Sequence, residues 1–453
     1  MPSREAAKQL ILDCYHAGLR SVEPTAAVQR YFQRDGRSLV LGSPRQQWPV
    51  TGHVSVAAIG KAAVDMAAAA EQICGDLLRE GVVITKDGHG QGKQLRACQL
   101  FEAAHPVPDA RGERATREIL RRASRLARGD VLLALISGGG SALLEAPRPP
   151  VTLEDLRRTT DLLLRAGAPI QDLNAVRTPL SLVKGGGLRR AAAPAMTITL
   201  ILSDVLGNDP RVIASGPTVP GDSEEIVAHR GWDVLGRFDL QEQVPASVRQ
   251  VLQPRGVLAA RTVDRDRVGD GARSDAASWI RVIGDNETMV NAAARAAMDK
   301  GVASQVVWTA REGEASELGR AWVAACCDAT PDIDLLLGGG EATVRVRGDG
   351  IGGRNIEFAL AATLELERND EAGWVVASLA TDGQDGLTNA AGAIGDRGTI
   401  ARARSSGVDP ERALRENDSL RVFEAASGLV QPGPTGTNVN DLYLAVRISG
   451  GNG

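Results

Sequence analysis

Six lysines stand among 52 basic residues, and the rest are arginine. Two of the six fall where a glycine-rich backbone can come close to an anion. In VSVAAIGKAAVDMAAAAEQI (54–73) an apolar, β-prone run meets Gly60-Lys61, and an alanine-rich helical pattern follows. A glycine and a lysine where a strand feeds a helix look like the end of a phosphate-binding loop. The rest of that loop is missing. Ser55 stands where its first glycine belongs, and Ala62 where a hydroxyl would hold a metal. Lys61 is therefore a single charge at a strand end rather than part of a nucleotide cradle. The second lysine, Lys184, lies in DLNAVRTPLSLVKGGGLRRAA (172–192) beside Asn174, Arg177 and Gly185. The planar fork of Arg177 can hold a carboxylate or phosphate by two parallel bonds. The same stretch also reads as a solvated helix closed by a glycine cap.

Four more stretches carry polar groups at the ends of apolar runs. ISGGGSALL (136–144) offers Ser137, Gly138, Gly139, Gly140 and Ser141. Backbone N–H groups freed by glycine suit an anion, though a tight strand-to-helix turn needs the same glycines. In ILSDVLGNDPRVIASGPT (201–218), Asp204 closes an apolar run, as a magnesium ligand, a group that orients a hydroxyl, or a helix cap. GGGEATVRVRGDGIGGRNIEFALAATLEL (338–366) contains G-x-G-x-x-G at Gly348, Gly350 and Gly353, a dinucleotide fingerprint on paper. Arg354 follows it at the first turn of a predicted helix, 355–367, where exposed N–H groups favour anions. SLATDGQDGLTNAAGAIGD (378–396) places Asp382 and Asp385 just after a predicted strand, as metal ligands, a general base, or an acidic turn.

The elements that must position these groups are short, β-branched runs alternating with helical patterns at 62–80, 111–128, 153–166, 287–300, 314–329 and 355–367. Alternation of this kind predicts α/β layers with largely parallel sheets and ligands at the carboxyl ends of the strands. The polar, aperiodic stretch 251–276 is the expected linker or long loop. It separates a domain of residues 1–250 from one of 277–453, whose last strand either stays there or returns to the N-terminal domain.

Composition removes several function classes. A net charge of -4 and 3% aromatic residues give no case for nucleic acid or an anionic membrane. The five cysteines form no C-x-x-C, the start reads as an amphipathic helix, and no uncharged apolar run reaches the length of a span. A cytoplasmic protein is expected. The five histidines never take metal-ligand spacing, and no G-x-S-x-G, H-R-D or D-F-G occurs. What remains is dense in Gly, Lys, Arg and Asp, which suits phosphoryl transfer to a small anionic substrate.

These segments, with HPVPDARG and GPTGTNVNDLYLA, run in order over residues 54–446, and the chain resembles the class II glycerate 2-kinases. Members have often been labelled hydroxypyruvate reductases. The resemblance implies two α/β domains around a deep cleft, a larger N-terminal Rossmann-like doubly wound sheet and a smaller C-terminal module. It implies ATP-dependent phosphorylation of D-glycerate at the 2-hydroxyl, with Mg²⁺ or another divalent cation, in a monomer or homodimer. Lys61 and Arg354 match the family's catalytic lysine and arginine, and Asp204 and Asp382 its acids, as base or metal ligands. Substrate contacts are then expected from Lys61, Asn174, Arg177 and Arg354. Nucleotide contacts are expected from residues 137–141, Lys184, Gly185, Asn208, Gly339 and Gly340. The chain departs from the usual family pattern at Asn208, Ile356, Leu387 and Asn389. The rival expectation is an NAD(P)H-dependent hydroxypyruvate reductase using the 348–353 glycines.

Overall fold

A computed structural model describes residues 2–42, 45–90, 92–254, 277–369 and 373–448. The chain packs as two compact units, Val28–Ile283 and the combination of Met1–Ala27 with Gly284–Gly453.

In the first unit six strands make one sheet: β1 (Val54–Ile59), β2 (Leu78–Lys86), β3 (Cys98–Ala103), β4 (Val131–Ile136), β5 (Met196–Leu202) and β6 (Ser278–Gly284). Their order is β3-β2-β1-β4-β5-β6, that of a doubly wound nucleotide-binding sheet, and β3 to β5 pair in parallel. Every residue of β1 and β4 is buried. Burial on both faces is why these strands read as continuous apolar runs rather than alternating ones. Ala57, Ile59, Val82 and Ile84 pack on one face against Ala115, Ile119 and Leu188 from the flanking helices. A separate helical layer, including Leu153–Arg165, Ile170–Arg177, Glu224–Arg237 and Ala246–Leu252, closes around Leu163, Val176, Leu235 and Val248. A small antiparallel sheet of Phe32–Asp35, Ser38–Leu41 and Gln46–Pro49, which the sequence patterns did not announce, precedes β1.

The second unit also holds a six-stranded sheet: β7 (Ser304–Glu314), β8 (Leu335–Thr343), β9 (Trp374–Ala380), β10 (Gly392–Gly395), β11 (Leu429–Val430) and β12 (Asp441–Arg447). Its order is β7-β8-β12-β9-β10-β11. Only β7 and β8 run parallel, and the other pairs are antiparallel, against the expectation of largely parallel sheets. All of β9 and six of the seven residues of β12 are buried, and a strand buried on both faces carries no signal of its direction. Phe358 from the helix Arg354–Arg368 stacks on Tyr443 of β12 with ring centroids 4.5 Å apart.

Two segments fall elsewhere than the sequence placed them. β6, assigned to the C-terminal domain, hydrogen-bonds beside β5 and completes the first unit's sheet. The helix Arg4–Ser21, assigned to the N-terminal domain, packs on Asn286–Met298, where Gly18 admits the Met289 side chain. The Tyr15 hydroxyl of that helix donates to the Ala380 carbonyl at 2.7 Å. The last strand, β12, lies inside the second unit's sheet. Of the expected linker, residues 255–276 lie outside the described residues.

Candidate functional site

The order of the first sheet reverses between β1 and β4, and in open α/β sheets ligands bind at that switch point. The loops there are Gly60-Lys61-Ala62 and Ser137–Ser141, and they interlock. The Ser137 N–H donates to the Ile59 carbonyl at 2.9 Å, and the Lys61 N–H to the Gly138 carbonyl at 2.9 Å. The Ala62 N–H donates to Ser137 Oγ at 3.1 Å. Gly60 has φ +121°, and a Cβ there would overlap both Oγ and the carbonyl of Ser137. Only glycine lets the two loops meet, and their meeting fixes the partly buried Lys61 at the carboxyl edge. Gly139, at φ +83°, turns the second loop with His105 against it. His89 Nδ1 lies 3.3 Å from the Lys61 carbonyl oxygen. Burial pushes both imidazoles below their ordinary pKa, and Lys61 adds to the effect at His105. The sequence search passed over these histidines because it asked only for metal-ligand spacing.

Beneath this loop sits a buried ion cluster. Lys184 Nζ donates to the Ser141 carbonyl at 2.8 Å and to Ser141 Oγ at 3.2 Å. It lies 3.4 Å from Glu145 Oε2, which is 3.9 Å from Arg177 Nη2. Lys184 and Glu145 are each 1% exposed. Burial pushes the Lys184 ammonium down to about 8 despite the opposing pull of Glu145. Lys184, expected to touch nucleotide, instead braces the Ser137–Ser141 loop from below. Glu145, which the sequence reading missed, is its counter-ion, and Arg177 is turned to the same carboxylate. Gly185 shapes the adjoining turn at φ +53° and donates its N–H to the Ser215 carbonyl at 2.9 Å. Gly185 and Asn174 line a cavity of about 240 Å³ with Ser215, Arg211 and Arg230. Asp204 and Asn208 are both partly buried in the loop after β5, at the same edge of the sheet, and Asn208 takes φ +54°.

In the second unit Arg354 opens the helix Arg354–Arg368. Its Nη1 donates to Glu341 Oε1 at 2.8 Å, and its Nε and Nη2 donate to Asp441 Oδ1 at 3.2 and 3.1 Å. Burial works against this charge, but Asp441 and then Glu341 hold the guanidinium pKa above its ordinary value. Asp385 caps the helix from another loop, accepting from the Asn355 N–H at 3.1 Å and the Ile356 N–H at 2.8 Å. Gly353 is glycine because a Cβ there would strike the Asp385 carboxylate. Asp385 is thus a cap rather than the metal ligand or base that its spacing from Asp382 suggested. Asp382 is partly buried, and its Oδ1 accepts from the Gln384 N–H at 3.1 Å.

Two glycine assignments need correction. Gly339 and Gly340 lie inside β8, and their bare faces are filled by the Asn286 side chain and the Arg311 backbone. They are packing glycines inside a strand paired on both sides. The G-x-G-x-x-G at 348–353 is likewise a packing loop: Gly348 meets the Glu416 backbone and Gly350 meets Asp418. It follows β8 of the mixed sheet, not the first strand of a parallel one. Among the described residues no three His, Cys, Asp or Glu side chains gather as a metal-binding group.

Two stability measurements check this arrangement. Gly60→Ala should cost about 3 kcal/mol or more, from backbone strain plus overlap. Gly167→Ala, at φ +77° with open space around it, should cost only about 1–2 kcal/mol. Equal costs in urea unfolding would remove the interlock. Lys184→Met should cost about 3–5 kcal/mol by stranding the buried Glu145 charge, and adding Glu145→Gln should recover most of it. A Lys184→Met protein as stable as the parent would show that the cluster is not a clamp.

Residues 10–253 match a domain of unknown function (DUF4147), and residues 334–441 match the MOFRL family. D-glycerate 2-kinase of Thermotoga maritima is 35% identical over 451 residues, covering 98% of this chain and 99% of that protein. Glycerate 2-kinase of Pyrococcus horikoshii is 37% identical over 440 residues, covering 95% of each. A crystal structure of glycerate kinase from Thermotoga maritima aligns with a TM-score of 0.83 at 34% identity, over 98% of this chain and 100% of that one. The chain belongs to the glycerate kinase family, with a DUF4147 domain followed by a MOFRL domain.

Proposed function

We propose that this chain transfers a phosphoryl group from ATP to the 2-hydroxyl of D-glycerate, giving 2-phospho-D-glycerate and ADP. The observation that carries the reading is the near full-length likeness to proteins named glycerate 2-kinase. The geometry supports it. A lysine is pinned by backbone contacts at the switch point of a nucleotide-type sheet, and an arginine is pinned by carboxylates at a helix N-terminus. Phosphoryl transfer asks the protein mainly to position groups and to neutralise charge.

In this reading the Ser137–Ser141 loop receives the phosphates of ATP. Gly139 at φ +83° turns the backbone of that loop at the strand end, as an anion-binding loop requires, while the hydroxyls of Ser137 and Ser141 hold the loop in place. Lys61 and Arg354 supply the positive charge needed by the substrate carboxylate and the transferring group. Asn174 extends the substrate contacts. A strand-end carboxylate, Asp204 or Asp382, accepts the hydroxyl proton or holds the metal. With no three-residue metal group among the described residues, Mg²⁺ would be held by one or two carboxylates together with the nucleotide, its usual habit. When bound, it offsets the charge of the phosphates. The packing role of Gly348, Gly350 and Gly353 speaks against the reductase reading.

The test is to incubate the protein with D-glycerate, ATP and Mg²⁺ and identify the product by NMR. Phosphate on carbon 2 is expected. Oxidation of NADPH by hydroxypyruvate without ATP turnover would overturn the proposal. Lys61→Ala and Arg354→Ala should each lower kcat/KM at least ~100-fold, on the order of 3 kcal/mol. Near-normal turnover in either variant would remove that residue from the chemistry.

A further inference from the structure

We propose that Asp441 is the positioning residue for Arg354, fixing the orientation of its guanidinium during the transfer; this rests on the glycerate kinase reading above. Arg354 is bracketed by two carboxylates that differ in exposure. The Glu341 side chain is 42% exposed and the Asp441 side chain 0%. A solvated pair such as Arg354–Glu341 is weak and yields readily to an arriving anion. Asp441 has no such freedom. It is the first residue of β12, with Gly340 of β8 opposite it on one side and Ala380 of β9 on the other. Asn286 Nδ2 donates to its backbone carbonyl at 2.9 Å. Asn355 Nδ2 donates to its Oδ1 at 2.9 Å, and Ser378 Oγ donates to Asn355 Oδ1 at 2.6 Å. Arg354 thus turns on an anchor set in the middle of a sheet, while Glu341 supports it from the wet side.

Asp441 is also where the anchor answers to pH. The charged and titratable groups around it are Arg354 from the helix, Glu341 from β8, Asp385 from the loop after β9, Tyr15 from the N-terminal helix and Tyr443 from β12 itself. Burial pushes the Asp441 carboxyl up to about 7 against the opposing pull of Arg354 and Asn355, and Asp385 adds to the rise. Its Oδ2 accepts no well-aligned hydrogen bond among the described residues, although Arg354 Nε lies 2.9 Å from it. Above that pH Arg354 is anchored by a full ion pair, and below it the direct ion pair is the one with the more exposed Glu341. The folded chain holds this proton more tightly than the unfolded chain. The contribution of Asp441 to stability therefore falls as pH climbs from 3.8 to about 7.

Asp441→Asn keeps the shape and removes the charge. It should lower kcat about 10–100-fold while changing KM for ATP less than about threefold, and the acid limb of kcat near neutrality should flatten. Urea unfolding across the same pH range should lose part of its decline. A variant with parental kcat, or with its acid limb intact, overturns the proposal. Parental turnover in Arg354→Ala would instead remove the role of Arg354 on which the proposal stands. The unmutated protein gives an independent check should the variant fail to fold. Its arginine Nε–H resonance missing in Arg354→Lys should be sharp at alkaline pH and broaden as Asp441 protonates. A resonance indifferent to pH overturns the proposal.

Discussion

The contact of Gly60 with Ser137 sets the working edge of the first unit. Two neighbouring parallel strands end there, and their loops would diverge into solvent if each followed its own helix. Instead the second loop enters the space that a Cβ at position 60 would fill, and three hydrogen bonds, two of them backbone to backbone, close the junction. The backbone of Lys61 takes its place from that junction. The second unit uses the same device. Gly353 leaves room for Asp385, whose carboxylate takes the helix N–H groups, and the helix start then carries Arg354. Close backbone approach, which glycine alone permits, is how both cations are placed.

Each of these placements leans on a charge that is costly to bury. Lys184 and Glu145 lie under the Ser137–Ser141 loop, and Asp441 lies under Arg354. Apolar side chains of similar volume would often be no less stable. An apolar group, however, does not specify direction. The ammonium of Lys184 ties the carbonyl and hydroxyl of one residue, Ser141, and Asp441 selects one edge of a planar fork. In both clusters the buried charge fixes the orientation of a neighbouring segment.

The α/β class and the strand runs were legible in the sequence, because burial on both faces leaves continuous apolar runs. Strand direction in the second unit was not, since the buried pattern of β12 is the same whether its neighbours run with it or against it. Nor were the partners of the glycines. Gly139 and Gly339 look alike on paper, yet one turns a strand-end loop and the other admits the Asn286 side chain inside a strand. Glu145 and Asp441 were invisible for a related reason. An isolated acid at the edge of an apolar run reads as a boundary residue until the fold shows which cation it faces. The histidines were lost to a narrower question, as only sequence spacing was tested while His89 and His105 reach the Lys61 loops from separate segments.

The two cations also differ in how they deliver charge, and their surroundings match the difference. Arg354 is a rigid fork, useful only when its plane is set, and three of its nitrogens are aimed by two carboxylates. Lys61 is a compact charge on a flexible stem, for which direction matters less than the position of its base. The protein accordingly fixes the backbone of Lys61 with a close glycine junction at the end of β1, and fixes the side chain of Arg354 with buried acid.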